Sequence, residues 1–500
     1  MFIFAKMELI VAEKISIQRF GKIIFENTSF LLKKGEHLFI SGNNGSGKTS
    51  LLKGISKSYP IAKGYLKFPH FEQLKLKNPN LNFNTYLVFV DFNLHHYLPN
   101  YLEKFYQQRY HACETDVFPT VLEFLCNEKN IFIEKPIANK AFENKIDQYL
   151  TLFKLYSLQN EPVIELSNGE SKKLLIIKAL LKAPEILILD NPYIGLDSVG
   201  IKTLDEVLNM LHLMGKTLIM SNADNVYPPI FNTFWNIKDH YLIPEKLTIK
   251  ESNPNKSTNK NLETQEFENA EILVKMVNAQ IIYGEKLIFK HINWTIKAGQ
   301  KWLLKGENGS GKSSLLGLLF ADHPQAYRNE IYLFGKKRGS GESIWDIKKN
   351  IGYLSPELYL HFLKPYTCLE IVASGINEYK AIDRNYLPDE IESVMDLLNI
   401  FNLKKMANQS FLSISFGEQR LLLLLRTLIK KPKLLILDEP FQGIDLQNQQ
   451  LAMDLCHNYF QSNKSASLIL ITHQNEFKWN ILDNEMELKD KEIRYCGKIR

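Results

Sequence analysis

Short, nearly unbroken apolar runs recur along the chain: HLFISG, ILILD and TLIMS in the first half, KWLLKG, LLILD and LILIT in the second. Runs of this length, alternating with stretches of helical spacing, predict a mainly parallel sheet covered on both faces. Ahead of them, Glu13 to Arg19 and Ile23 to Leu31 are rich in β-branched and aromatic residues and predict an antiparallel β layer. The stretches from about Phe92 to Glu165 and from about Leu358 to Leu412 carry helical spacing and predict a helical lobe in each half. The fold class expected is α/β, built twice.

The duplication is visible in the letters. FGKIIFENTSFLLKKGEHLFISGNNGSGKTSLL, from Phe20, is echoed by YGEKLIFKHINWTIKAGQKWLLKGENGSGKSSLL, from Tyr283. EILILDNPYIGLD, from Glu185, is matched by KLLILDEPFQGID, from Lys433. Between the halves, residues 251–269 are polar, contain a proline and lack apolar periodicity, so they bury too little to offset their ordering entropy. The organisation expected is a first domain over residues 1–245, a linker over 246–270 and a second domain over 271–500.

Composition adds exclusions. Hydrophobic residues are 45% and charged residues 23%, the proportions of a globular chain rather than a disordered or membrane-embedded one. The longest leucine run, Leu421 to Leu425, is cut by Arg426, so no span of bilayer length is expected, and the N-terminus reads as a first strand rather than a signal peptide. A cytoplasmic protein is expected, soluble or peripheral at the cytoplasmic face of a membrane. The net charge is only +6 and nine residues are arginine, so strong nucleic-acid binding is not expected. The five scattered cysteines and the adjacent His95 and His96 have no metal-ligand spacing.

Two segments carry chemistry. Gly42, Asn43, Asn44, Gly45, Ser46, Gly47, Lys48 and Thr49 fit G-x-x-x-x-G-K-[ST], as do Gly306, Glu307, Asn308, Gly309, Ser310, Gly311, Lys312 and Ser313. Each follows a predicted strand and opens a predicted helix, the context in which successive backbone N–H groups and a helix N-terminus cradle phosphates. Lys48 and Lys312 are expected on the β and γ phosphates, and the hydroxyls of Thr49 and Ser313 on Mg²⁺. Asp190 and Asp438, each ending an apolar strand, are the carboxylates expected to complete the Mg²⁺ site.

In this order the motifs resemble those of the ATP-binding cassette (ABC) ATPases. That family has a short signature upstream of the Asp strand, typically L-S-G-G-Q. Here Leu166-Ser167-Asn168-Gly169-Glu170 and Ile414-Ser415-Phe416-Gly417-Glu418 stand in its place, 248 residues apart, as are Asp190 and Asp438. The resemblance implies that Ser167, Gly169, Ser415 and Gly417 close over the γ-phosphate of ATP held by the opposite half, by association of the two halves within one chain. It also implies that Phe20 and Tyr283 stack on adenine, although each fits strand packing equally. Gly195-Leu196-Asp197 and Gly443-Ile444-Asp445 match the loop that touches the partner half. The stretch from Ala321 to Leu358 is similar to the tandem ATPases of the ModF or photorepair type, which are associated with molybdate transport.

The halves depart from the pattern unequally. Glu439 stands where the family has the carboxylate that polarises water, and His473 where it has a γ-phosphate-sensing histidine. The first half has Asn191 and Asn222 there, and an amide cannot accept a proton at neutral pH. Hydrolysis is therefore expected chiefly where Lys312, Ser313, Asp438, Glu439 and His473 act. The glutamine that relays to a transport partner is replaced by Ser355 and Pro356 in one half and by Asp91 in the other. Three functions follow from the resemblance: the ATPase pair of a transport system with separate permease subunits, a soluble protein acting on ribosomes or nucleic acid, or an ATP-dependent regulator. The linker is not the long charged helix of the ribosome-acting branch, which ranks the first ahead.

Overall fold

The computed structural model describes residues 7–19, 22–42, 46–92, 94–98, 118–126, 140–196, 198–222, 227–238, 241–244, 270–283, 286–306, 309–320, 323–356, 358–362, 364–377, 382, 384–400, 403–441, 444, 446–472 and 479–499. They form two compact units, one from the described residues up to Pro244 and one from those beginning at Ala270. The linker expected at 246–270 lies outside the described residues apart from Ala270.

In the first unit, β1 (Glu8–Arg19), β2 (Lys22–Lys33) and β4 (Ile61–Lys67) form an antiparallel sheet in the order β2-β1-β4. The first two strands are longer than the sequence pattern suggested, because bulges let them bend over the core instead of ending. The second sheet has the order β5-β6-β7-β3-β8-β9, from β3 (Leu38–Gly42), β5 (Leu87–Val90), β6 (Ile186–Asp190), β7 (Thr217–Ser221), β8 (Thr233–Lys238) and β9 (Tyr241–Pro244). Only β9 runs antiparallel to its neighbour.

The apolar runs divide by alternation. In β6, Ile186 and Ile188 join the core beneath the antiparallel layer with Ile15, Phe25 and Leu51. Leu187 and Leu189 face the opposite core, built with Leu174, Ile177 and Leu208 of the helices Asn168–Leu181 and Ser198–Leu213. With both faces apolar the strand reads as a continuous run, and each such side chain contributes about 1.5–3 kcal/mol by its burial.

The second unit repeats this plan. The antiparallel sheet is β11-β10-β13-β14, from β10 (Ile272–Tyr283), β11 (Lys286–Lys297), β13 (Glu330–Leu333) and β14 (Lys336–Lys337). The larger sheet is β15-β16-β17-β12-β18-β19, from β12 (Lys301–Gly306), β15 (Ile351–Leu354), β16 (Leu434–Asp438), β17 (Ser467–Ile471), β18 (Asn484–Lys489) and β19 (Glu492–Lys498). Leu434 and Ile436 face one core, Leu435 and Leu437 the other. The helical lobes expected in each half are represented by Val121–Cys126 and Lys140–Leu152, and by Cys368–Ala373 and Pro388–Ile400. Among the described residues, no helix is long and apolar enough to cross a membrane. In both units the Asp-bearing strand and the strand that feeds the glycine loop end on the same side of a parallel sheet, where such folds bind ligands.

Candidate nucleotide site

Each glycine loop turns directly into a helix, Lys48–Ile55 in the first unit and Lys312–Leu319 in the second. The turn demands glycine at Gly47 and Gly311, whose φ values of 98° and 95° are left-handed. Space demands it too: a Cβ on Gly47 would sit 2.7 Å from the Phe25 ring, and one on Gly311 would sit 3.0 Å from Ile288 Cγ2. These contacts press the loop against the antiparallel layer and leave its other side for the ligand.

Both lysines are buried and fold over their own loops. Lys48 Nζ donates to the Gly42 carbonyl at 2.6 Å and Lys312 Nζ to the Gly306 carbonyl at 2.8 Å. Inside the loops, the hydroxyls of Ser46 and Ser310 are buried and have no hydrogen-bond partner among the described residues. Orphaned hydroxyls beside an ammonium and a helix N-terminus fit an anion that would complete them. Asn43, Asn44, Gly45, Glu307 and Asn308 lie outside the described residues; Gly309 has the left-handed φ of 80°.

At the end of β6, Asp190 gathers three donors. Thr49 Oγ1 donates to its Oδ2 at 2.6 Å, Ser221 Oγ to its Oδ1 at 2.5 Å, and Asn191 Nδ2 to its Oδ1 at 3.1 Å. Burial pushes the Asp190 carboxyl above the ordinary range, opposed by the bonds from Ser221 and Thr49 and by the charge of Lys48. Thr49 and Asp190 are thus held together, and a hydroxyl beside a carboxylate is a hard-oxygen pair suited to Mg²⁺. Ser221 was missed, although it stands one residue before Asn222 at the end of a strand beside β6. In the second unit Asp438 is buried at the end of β16 and Ser313 is exposed on the first turn of its helix. Asn222 is buried just past β7. His473, Phe20, Asp197, Gly443 and Asp445 lie outside the described residues, as does the side chain of Tyr283, and the side chains of His95 and His96.

The residue after each Asp adopts the same unusual backbone. Asn191 has φ 51° and Glu439 has φ 48°. Their N–H groups donate to the neighbouring strand at its end, Asn191 to the Ser221 carbonyl at 2.8 Å and Glu439 to the Ile471 carbonyl at 3.0 Å. The two units therefore aim an amide and a carboxylate from one kind of turn.

The signature segments cap helices. Ser167 caps Asn168–Leu181 and Ser415 caps Phe416–Leu428, each in a reciprocal box with the glutamate three residues on. Ser167 Oγ lies 2.7 Å and its N–H nitrogen 2.8 Å from Glu170 Oε2; the corresponding distances to Glu418 Oε2 are 2.6 and 2.8 Å. The hydroxyls expected on a γ-phosphate are thus engaged by a carboxylate that favours the helix N-terminus. The sequence reading missed this box, which the S-x-x-E spacing could have signalled. Two further residues escaped the sequence reading. Lys172 Nζ donates to the carbonyls of Pro192 and Ile194, and burial pulls its ammonium down to about 7. Arg420, 248 residues later, donates from Nη1 to the Ser355 carbonyl at 2.8 Å, and from Nη2 to the carbonyls of Glu439 at 2.8 Å and Asp438 at 3.3 Å. Burial lowers the guanidinium only to about 10, so it stays charged at neutral pH.

The similar stretch from Ala321 has a structural role near the edge of β10. Asn329 Nδ2 donates to the Gln280 carbonyl at 3.0 Å while its Oδ1 accepts from the Gln280 N–H at 2.8 Å. Gln325 does the same to Ile282, at 2.7 and 3.2 Å. Two side-chain amides thereby act as a strand along the edge leading to Tyr283.

The family described as ABC transporter matches residues 25–194 and again 289–442, more than half of the chain. The chain belongs to the ABC transporter ATP-binding family. An uncharacterized ABC transporter ATP-binding protein of Schizosaccharomyces pombe is 30% identical over 91% of this chain and 92% of its own. The ABC transporter ATP-binding protein ModF of Escherichia coli is 29% identical over 89% of each chain. An uncharacterized Saccharomyces cerevisiae ABC transporter ATP-binding protein is 29% identical over 63% of this chain and 67% of its own. Among solved structures, a nucleotide-free ATP-binding cassette from an ABC transporter aligns over 46% of this chain and 92% of that one, at 20% identity and a TM-score of 0.39. The family match falls once on each unit of this ABC protein, in agreement with the duplicated sheets.

Proposed function

We propose that this protein is an Mg-ATP hydrolase with unequal halves, serving as the ATP-binding component of a transport system whose permease subunits are separate chains. Both halves carry a loop lysine, a hydroxyl and a strand-terminal carboxylate, so both bind Mg-ATP. Bound Mg²⁺ supplies charge neutralisation at the phosphoryl oxygens. Glu439 orients water and takes its proton; His473 holds the γ-phosphate. By the family resemblance the halves close on each other over ATP, which brings Ser167 and Gly169 to the hydrolysed nucleotide and Ser415 and Gly417 to the other. Tyr283 and Phe20 stack on adenine.

The observation that carries this reading is the shared left-handed turn after the Asp strands, with Glu439 on one and Asn191 on the other. Backbone geometry is common to the units and only the chemistry differs. General-base assistance is worth about 10²- to 10⁴-fold. Glu439→Gln should abolish nearly all steady-state turnover while leaving ATP affinity intact, whereas Asn191→Gln should change turnover little. Robust hydrolysis by Glu439→Gln would refute the assignment. The similarity to ModF supports the transport reading and makes an oxyanion such as molybdate the first cargo to test. Co-purification from membranes at native expression decides it: a permease supports the proposal, ribosomal proteins overturn it.

A further inference from the structure

We infer that Arg420 is a positioning residue that holds the Glu439 backbone in the turn from which its carboxylate acts. The inference rests on the reading of Glu439 as the base. A left-handed φ is uncommon for residues other than glycine, asparagine and aspartate, and a glutamate kept at 48° needs surroundings that over-determine it. Arg420 supplies them. Its side chain is buried, and its planar fork spans the carbonyl of Ser355, just past β15, and those of Asp438 and Glu439 at the end of β16. Returning residue 439 to a negative φ would swing its peptide away from the fork and leave a buried cation short of an acceptor.

The first unit is an internal comparison. Asn191 has nearly the same φ, which asparagine tolerates through its short polar side chain. There Lys172, at the matching helix position, sends its ammonium to the carbonyls of Pro192 and Ile194. The carbonyls of Asp190 and Asn191 are not its acceptors. The clamp on the turn itself thus accompanies the glutamate, and it links the signature helix and the Ser355 segment to the base in one step.

The test uses the full chain with Arg420→Lys, which keeps the charge without the fork, and Arg420→Gln, which keeps neither. Steady-state kcat and KM, equilibrium Mg-ATP binding and thermal melting are measured for both. Losing one charge-assisted bond predicts a fall in kcat of about tenfold or more for Arg420→Lys. The Kd for Mg-ATP should stay within about twofold. Added to Glu439→Gln, the same change should cost nothing further, because the base it positions is already gone. A merely structural arginine would instead lower affinity and rate together and do so on the Glu439→Gln background as well; that result, or an unchanged kcat, overturns the assignment. Should Arg420→Gln fail to fold, Arg420→Lys alone decides. Wild-type turnover by Glu439→Gln would instead sink the reading of Glu439, whatever Arg420→Lys does.

Discussion

Acid should loosen the first unit chiefly through one histidine. His37 immediately precedes β3 and is 2% exposed. Its Nδ1 accepts from the Leu218 N–H at 3.1 Å, so the proton sits on Nε2, which faces His212 Nδ1 at 2.7 Å. Protonating Nδ1 would break the bond to Leu218 in β7. Burial, and secondarily the neighbouring His212, pull His37 down to about 4 from the ordinary 6.5. The unfolded chain therefore binds a proton near pH 6.5 that the folded unit refuses until about pH 4, so stability present above 6.5 is lost as pH falls through this window. The shift corresponds to about 3 kcal/mol in full, of which about 2 kcal/mol is gone by pH 5. Native-state hydrogen exchange on peptides covering Thr217–Ser221 reports this unit without the other. His37→Asn, whose Oδ1 can take the Leu218 N–H without titrating, should flatten the slope between pH 7 and 5. An identical slope in wild type and variant would refute the reasoning. The consequence reaches the nucleotide site, because β7 ends in Ser221, a donor to Asp190.

Two further outcomes are expected. Replacing Gln325 and Asn329 together by alanine should weaken ATP binding in the second unit several-fold, since each lost edge bond is worth about 0.5–1.5 kcal/mol, while inorganic triphosphate binding stays constant; equal losses for both ligands would show that the amides do not act through the adenine end. Glu439→Asn should raise the unfolding free energy of the second unit by up to about 1 kcal/mol, since asparagine relieves the left-handed strain, and should abolish turnover; a lowered stability in denaturant melts would contradict the strain argument.

Much of this architecture was legible because it is periodic or local. The runs ILILD and LLILD declared strands buried on both faces, and alternation then assigned Ile186 and Leu187 to opposite cores. The glycine loops were legible because backbone φ, close approach to Phe25 or Ile288, and phosphate geometry all restrict the same positions. Arg420, Gln325, Asn329 and Ser221 were not legible, since each acts on atoms far away in sequence, the first three on backbone groups and Ser221 on the Asp190 carboxylate. A basic residue on a leucine-rich helix reads as surface until the fold buries it under the end of β16. The bending of β1 and β2 escaped for a similar reason: bulges leave no period to read.

The comparison of the halves separates what the fold requires from what the chemistry requires. Sheet order, loop glycines, capping boxes and the left-handed residue after the Asp are kept in both units, although Glu439 bears that turn at a cost Asn191 largely avoids. A turn retained where its glutamate is absent is a scaffold property, to which the N–H bonds to Ser221 and Ile471 that finish the Asp strands contribute in both units. Under the proposed function the strain is tolerated in the second unit for the carboxylate it presents, and the cation beneath follows the same division. Lys172 supports the loop beyond the turn, where nothing is strained to hold a base, while Arg420 supports the turn itself. On that same reading, the asymmetry of hydrolysis is built into the support of the site as well as into the residue that performs it.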